Sequence, residues 1–361
     1  MGKIFVNKRI ELANTLPSEF YTNEEFYNLT KEKIFLKSWQ WIDSKGVNKK
    51  DNIIIPINIL KELINEPIIL LKNNDEIACY SNVCTHRGNI LVNKECNPKK
   101  IVCNYHGRRF SLDGKFEFMP EFESVKNFPS ICDDLKNLPL INWYGLFFVG
   151  INPNFELLPV LKQVEKRISF LSLDKLEINN NLSQDYIVNA HWAIYCDNFL
   201  EGFHVPFVHK DLNNVLDYNN YETEIYKNFN LQIGFSKNKD ECFQFPKNHQ
   251  DYGKKIAAFY YWIFPNIMLN IYPWGISLNV VCPINKSKTK VLFRSYVMDS
   301  TKLFSGASED LNRVEIEDEK IVENVQKGIN SSFYHSGRFS PKREKGVHHF
   351  HCLISQFINH K

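Results

Sequence analysis

The segment 84–110, "CTHRGNILVNKECNPKKIVCNYHGRRF", carries Cys84-x-His86 and, farther on, Cys103-x-x-His106. Four metal-binding side chains in two short turns constrain the fold more than any other feature, because both turns must point at the same object. Zinc sites usually pair their ligands by type, Cys with Cys and His with His. Here each turn supplies one thiolate and one imidazole. That suits a two-iron cluster in which one iron takes both cysteines and the other both histidines, as in a Rieske [2Fe–2S] centre. Neutral imidazoles in place of two thiolates make the ligand set less negative and raise the potential. Gly88 and Gly107 follow the two His-bearing turns and let backbone amides come close to bridging sulfides. Cys96 lies between the pairs and fits neither turn. Buried free cysteines with incidental histidines would be the plain alternative, but four ligands in this order with both glycines leave it little room.

"CTHRGN…CNYHGRRFSLDGKF" resembles the N-terminal Rieske domain of the Rieske non-haem iron oxygenases. One departure is Arg108, where many members carry Trp after His-Gly. The expected effect is on packing near the cluster edge or on docking of a reductase, with ligation intact.

An oxygenase of this kind also needs one iron atom that binds dioxygen, held by two His and one carboxylate on one face. The segment 192–211, "WAIYCDNFLEGFHVPFVHKD", offers Glu201-x-x-His204-x-x-x-x-His209. Two histidines five apart can meet one ion if a helix is distorted between them, and Pro206 offers the means. Taken alone, the run also reads as an aromatic core helix with two incidental histidines. It resembles the family's Asp-x-x-His-x-x-x-x-His signature, with Glu201 in place of Asp. By that resemblance Glu201 is not a ligand: it links His204 to a cluster ligand of a neighbouring subunit, His106, and fixes both imidazoles. Asp197 extends the path beside it. The third ligand is a carboxylate in "RVEIEDEKIVENVQKGI", which offers Glu315, Glu317, Asp318, Glu319 and Glu323. Acids at a helix N-terminus usually just complement its dipole. Position in the family favours Asp318, with Glu319 second.

The C-terminal half, including "FYYWIFPNIMLNIYPWGISLNV" and "EKGVHHFH", resembles the choline monooxygenase-like subgroup, whose members act on quaternary ammonium compounds. A methylated ammonium is held by aromatic faces, and Tyr195, Phe203, Trp262, Tyr272 and Trp274 are the expected cage. Each is equally at home as a strand-packing residue, and an aromatic-lined pocket also suits a flat aromatic acid. His348, His349 and His351 are read as structural or exposed, since both metal sites already have full ligand sets.

The chain has 361 residues, 43% hydrophobic and 24% charged, with 44 basic against 41 acidic residues. That balance argues against a nucleic-acid partner. Nine scattered cysteines suggest a reduced, cytoplasmic chain. The start lacks an apolar signal region, and Val6 stands where a myristoylation motif needs Ser or Thr. The apolar stretch 257–284 is broken by Pro265 and Pro273 and reads as strands and a bend, so no membrane helix is expected. Helices are expected over 22–39, after Pro153 and over "DEKIVENVQKGINSSFY", the last with Ile321, Val325 and Ile329 on its buried side. Hairpins are expected at Asn73-Asn74-Asp75 and Asp113-Gly114, and "WYGLFFVGIN" reads as one strand.

These readings give an α+β chain: an N-terminal helical segment (1–39) packing on the catalytic domain, an all-β Rieske domain (40–152), and a catalytic helix-grip, START-like domain (153–361) with a curved antiparallel sheet. The resemblance implies the terminal component of an oxygenase system, a mono- or dioxygenase with a [2Fe–2S] Rieske cluster and a mononuclear Fe(II), using O2. With no Gly-x-Gly-x-x-Gly loop, NAD(P)H is left to a separate flavin reductase or ferredoxin. A head-to-tail homotrimer is expected by resemblance. The expected reaction is hydroxylation or oxidative demethylation of a choline-, betaine- or carnitine-type compound. The competing readings are ring hydroxylation of an aromatic acid, and a Rieske electron carrier without oxygenase activity.

Overall fold

A computed structural model describes residues 3–238, 242–304, 307 and 311–360. The chain divides into two units, Leu36–Pro153 and a second one made of the residues up to Phe35 together with those from Asn154 onward. The ends of the first unit are tied by the Asn152 N–H donating to the Leu36 carbonyl at 3.2 Å.

The first unit is built from short antiparallel strands: β1 (Trp39–Ile42), β2 (Ile53–Ile59), β3 (Glu66–Asn73), β4 (Glu76–Ser81), β5 (Ile101–Val102), β6 (Arg109–Phe110), β7 (Phe116–Phe118), β8 (Asn137–Leu138), β9 (Leu140–Trp143) and β10 (Leu146–Gly150). They form three small sheets, ordered β2-β3-β4-β8, β1-β10-β9 and β5-β6-β7. Asn74, at φ 55°, turns the β3–β4 hairpin, a conformation that Asn tolerates well. The single strand expected from Trp143 is instead two, because Tyr144 and Gly145 both take positive φ and reverse the chain between β9 and β10. Ile54, Ile69, Leu71, Tyr80 and Phe110 pack together with Cys84 and Cys103, so the motif's thiols belong to the unit's own core.

The second unit holds α1 (Ser18–Thr22), α2 (Glu24–Lys33), α3 (Leu158–Ile168), β11 (Glu177–Val188), α4 (Trp192–Phe199), α5 (Val205–Val208), α6 (Lys210–Val215), β12 (Glu222–Ile225), β13 (Phe229–Phe235), β14 (Ile256–Ile263), β15 (Ile267–Tyr272), β16 (Gly275–Asn285), β17 (Lys288–Val297), α7 (Leu311–Ile329) and α8 (Lys345–Asn359). Among the described residues its seven strands form one antiparallel sheet, ordered β11-β17-β16-β15-β14-β13-β12. The central strands are buried on both faces, which explains why "AAFYYWIF" shows no polar alternation. One face packs Phe259 under the Arg167 guanidinium of α3, 5.4 Å from the ring centre. The other carries a polar rung that runs straight across five strands: Gln232, Tyr260, Asn270, Ser277 and Ser295 are successive Cα partners. Buried polar residues on an apolar sheet need partners or a function.

Helix α7 begins earlier and ends sooner than its sequence pattern suggests. It buries Glu315, Val322, Gln326 and Ile329, while Val325 is 42% exposed. The expected Ile321–Val325 side is therefore off by about one residue, and the cause is Gln326: its Oε1 accepts the His191 N–H at 2.7 Å and pulls a polar side chain inward. Among the described residues, no helix is long and apolar enough to cross a membrane.

Candidate active site

In the first unit the two Cys-His turns are built alike. Gly88 N–H donates to the Cys84 carbonyl and Gly107 N–H to the Cys103 carbonyl, at 3.0 and 2.9 Å. Both glycines have φ near +71°, which a side chain would strain. The thiols are 3% and 2% exposed, whereas the His86 and His106 rings lie at half-buried positions with centroids 4.9 Å apart. His106 Nδ1 is buried and has no hydrogen-bond partner among the described residues, and Tyr105 lies against its ring at 3.7 Å. An orphaned ring nitrogen beside two converging thiols fits a metal cluster and little else. Cys96 belongs to neither turn: its backbone pairs with Ile54 and it packs at the edge of the same core.

Arg108 is almost wholly buried, at 1% exposure. Its guanidinium sits 4.7, 5.5 and 5.7 Å from the ring centres of Phe116, Phe128 and Phe110 and donates to Asp133 Oδ1 at 2.6 Å. The residue that departs from the family pattern is thus a packing and ion-pairing residue of the interior.

In the second unit, α4 is started by His191, whose Nδ1 accepts the Ala193 N–H at 3.2 Å. It ends at Leu200, and Glu201, Gly202 and Phe203 lead to the single-turn α5. Tyr221 lies so near Gly202 that a Cβ there would sit 3.0 Å from its ring. His204 and His209 flank α5 at its two ends. Pro206 lies in the first turn of α5, where a proline starts a helix without bending it. The break that was expected at Pro206 occurs instead at His209, whose φ −108° and ψ 77° separate α5 from α6.

His204 Nε2, His209 Nε2 and Asp318 Oδ1 converge, with one ligand atom from each residue all within 4.8 Å of one another. Asp318 Oδ1 is 2.9 Å from His209 Nε2 and 3.5 Å from His204 Nε2, and it also accepts from Asn198 Nδ2 at 2.6 Å. The opposite ring nitrogens are occupied by carboxylates. Glu201 Oε1 lies 2.6 Å from His204 Nδ1, and Glu317 Oε2 lies 2.7 Å from His209 Nδ1. Burial opposes charge on His209, but the hydrogen bonds and charges of Asp318 and Glu317 outweigh it and raise its pKa. Carboxylates behind imidazoles fix the tautomer that leaves Nε2 free for a metal, so this donor set fits one iron ion. The other acids of α7 go elsewhere: Glu323 accepts from Asn189, and Glu315 from the Tyr195 hydroxyl at 2.7 Å. Glu317's role as the partner of His209 was not visible in the sequence, where it was one of five acids in the run.

Asp197 accepts from the Tyr21 hydroxyl at 3.0 Å and from His351 Nε2 at 2.8 Å. The three C-terminal histidines are not exposed. His351 bridges Asp197 to the Leu16 N–H, His348 reaches the Asn7 carbonyl at 2.7 Å, and His349 packs near Trp262.

Beside His204, His209 and Asp318 opens a cavity walled by Tyr195, Tyr221, Tyr260, Tyr272 and Phe293 with Asn270, Ser277 and Asn279 of the polar rung region. Of the expected cage only Tyr195 and Tyr272 line it. Trp262 is on the same sheet face as Tyr260, two residues along, but α8 covers it with Phe350 at 5.0 Å. Trp274 stacks behind Tyr272 at 5.5 Å and faces a neighbouring cavity. Phe203 is 40% exposed and points to Phe207 rather than into the cavity. Tyr260 and Phe293 were missed because strand register decides which aromatics face inward, and Tyr221 because it sits in the turn just before β12.

Comparison with known proteins settles the family. The Rieske [2Fe-2S] domain profile matches residues 56–129, and that of the ring hydroxylating alpha subunit (catalytic domain) matches residues 173–360. The chain belongs to the ring-hydroxylating oxygenase alpha-subunit family. This oxygenase is 28% identical to the chloroplastic choline monooxygenase of Arabidopsis thaliana over 96% of its own length and 83% of the relative. It is 29% identical to the carnitine monooxygenase oxygenase subunit of Escherichia coli K12, over 95% and 94% respectively. Among solved structures, the quaternary ammonium Rieske monooxygenase CntA in complex with L-carnitine shares its fold with a TM-score of 0.74, at 22% identity and 97% coverage of both chains. Like its family, the oxygenase is a terminal Rieske oxygenase with a [2Fe–2S] cluster and a mononuclear iron, acting on a small molecule with O2.

Proposed function

We propose that this oxygenase hydroxylates or oxidatively demethylates a quaternary ammonium compound of the choline, betaine or carnitine type. The observation that carries the reading is the wall of tyrosines beside the His204–His209–Asp318 cluster. Aromatic faces attract a methylated cation by roughly 0.5–2 kcal/mol each, and the curated relatives named above act on such compounds.

In this reading Cys84, His86, Cys103 and His106 hold the [2Fe–2S] cluster, and His204, His209 and Asp318 hold the iron. With both loaded, the iron would supply O2 activation for hydroxylation of a C–H bond and the cluster would supply the electrons; hydroxylation next to nitrogen would release an aldehyde and the free amine. The side chains have separate tasks. Glu201 and Glu317 keep the Nδ1 protons of His204 and His209, so both rings present Nε2. Asn198 orients Asp318. The tyrosines place the substrate's methyl groups next to the metal ligands and keep water away. Glu201 further couples His204 to the cluster ligand His106 of a neighbouring subunit in a homotrimer, with Asp197 steadied by Tyr21 and His351 behind it. A separate NAD(P)H-dependent flavin reductase or ferredoxin supplies electrons, and the compartment is cytoplasmic.

The test is a single turnover of the reduced, iron-loaded protein with O2 and one candidate at a time. Aldehyde or hydroxylated product from a quaternary amine, and not from an aromatic acid, supports the reading; the reverse sinks it. His204→Ala should abolish product and leave the cluster spectrum unchanged.

A further inference from the structure

Glu315 is 3% exposed and lines the cavity. Its Oε2 takes the Tyr195 hydroxyl at 2.7 Å, while its Oε1 is buried with no partner among the described residues. A lone buried carboxylate oxygen is expensive unless something completes it. Asn270 repeats the pattern across the cavity. Its Nδ2 donates to the Ser277 carbonyl at 3.2 Å, which fixes the amide's orientation, and its Oδ1 is left buried without a partner. Among the described residues that line the cavity, these are the two buried polar side-chain atoms without partners, and both are acceptors.

Charge points the same way. The charged groups along the described wall are Glu201, Glu315 and Asp318, with the imidazoles of His204 and His209, and no lysine or arginine is among them. A substrate carboxylate would find no counter-charge in such a wall. A cation with a hydrogen-bond donor would satisfy both free acceptors.

We propose that Glu315 is the counter-charge for the substrate's cationic head, and that the cavity selects a quaternary ammonium alcohol over a carboxylated quaternary amine. The proposal rests on the quaternary-amine reading above and narrows it. Asn270 Oδ1 receives the alcohol O–H, and the tyrosines surround the methyl groups. In the free protein, burial together with Asp318 and Glu319 pushes the Glu315 carboxyl well above the usual carboxylate range, and a cation held against it opposes that shift.

The test is calorimetric binding to the full-length, iron-loaded protein under anaerobic conditions. The probes are choline, its neutral carbon isostere 3,3-dimethylbutan-1-ol, glycine betaine, L-carnitine and benzoate. Choline should bind tightest, roughly tenfold or more above the isostere and above both carboxylated amines. Glu315→Gln, which keeps the side chain's shape, should weaken choline on the order of 30-fold and leave the isostere unchanged. Betaine or carnitine binding as tightly as choline overturns the proposal while leaving the quaternary-amine reading in place; the wild-type ranking alone decides this, whether or not the variant folds. Unchanged choline affinity in a folded Glu315→Gln protein also overturns it. Binding of benzoate alone overturns both.

Discussion

His209 Nδ1 lies 2.7 Å from Glu317 Oε2, so the ring's other nitrogen is left to face Asp318 at 2.9 Å. Glu317 is therefore a positioning residue for a proposed metal ligand, without touching the metal itself. Replacing it with Ala should weaken iron binding by roughly 10- to 100-fold. The check is ferrous iron retained after dialysis, and a variant that keeps its iron as wild type does would refute the role.

Arg108 should matter for the Rieske unit's stability. Its side chain is 2% exposed and its Asp133 partner 19%, so Arg108→Ala leaves a carboxylate and three phenylalanine faces without their cation. A loss of roughly 3 kcal/mol is expected, read as earlier thermal loss of the cluster's visible absorption. Arg108→Lys should recover only part, because an ammonium cannot spread over Phe110, Phe116 and Phe128 as a guanidinium does.

The cavity separates two kinds of aromatic residue. Tyr260→Leu or Tyr272→Leu should raise KM for a quaternary amine by up to about 30-fold, the upper range of one cation–π contact. Trp262→Phe should lower Tm and leave KM alone, since Trp262 packs on Phe350 and not on the cavity. Equal KM effects at Trp262 and Tyr260 would contradict this division.

Acid should unfold the second unit through its buried histidines. Burial lowers His191 to about 3 and His349 to about 4, against about 6.5 in an unfolded chain. Above pH 6.5 neither state binds the proton. As pH falls below that, the unfolded chain takes up protons that the folded one refuses, so stability drops, by about 2 kcal/mol per histidine at pH 5. The loss continues until the folded pKa is reached. His191→Asn keeps an acceptor for the Ala193 N–H and removes the titration, so its Tm should fall less between pH 7 and pH 5 than that of wild type.

How much of this was legible in the sequence depends on how local the signal was. The Cys84–His86 and Cys103–His106 turns are short-range patterns, and so is the His204–His209 pair. Asp318 is less local: five acids stood within nine residues, and only the helical rotation of α7 sends Asp318 to the imidazoles, Glu317 behind His209 and Glu315 into the cavity. The cavity wall was the least legible part. Trp262 and Tyr260 lie on the same strand face, and what separates them is the position of α8, contributed by residues almost a hundred positions away. Arg108 was expected to alter packing near the cluster edge or reductase docking; its burial was not legible because arginine is seldom buried, and Phe128 and Asp133, which help to hold it, lie outside the motif.

His209 and Asp318 are 109 positions apart, and between them the chain lays down six of the sheet's seven described strands, β12 to β17. An ion gripped by both would therefore close a loop around nearly the whole sheet, and a chain that has not assembled that sheet has no site to offer. Metal supply and folding then become linked quantities: at free iron a hundredfold above its dissociation constant, the folded form gains about 2.7 kcal/mol. Iron starvation would cost this protein its durability as well as its chemistry.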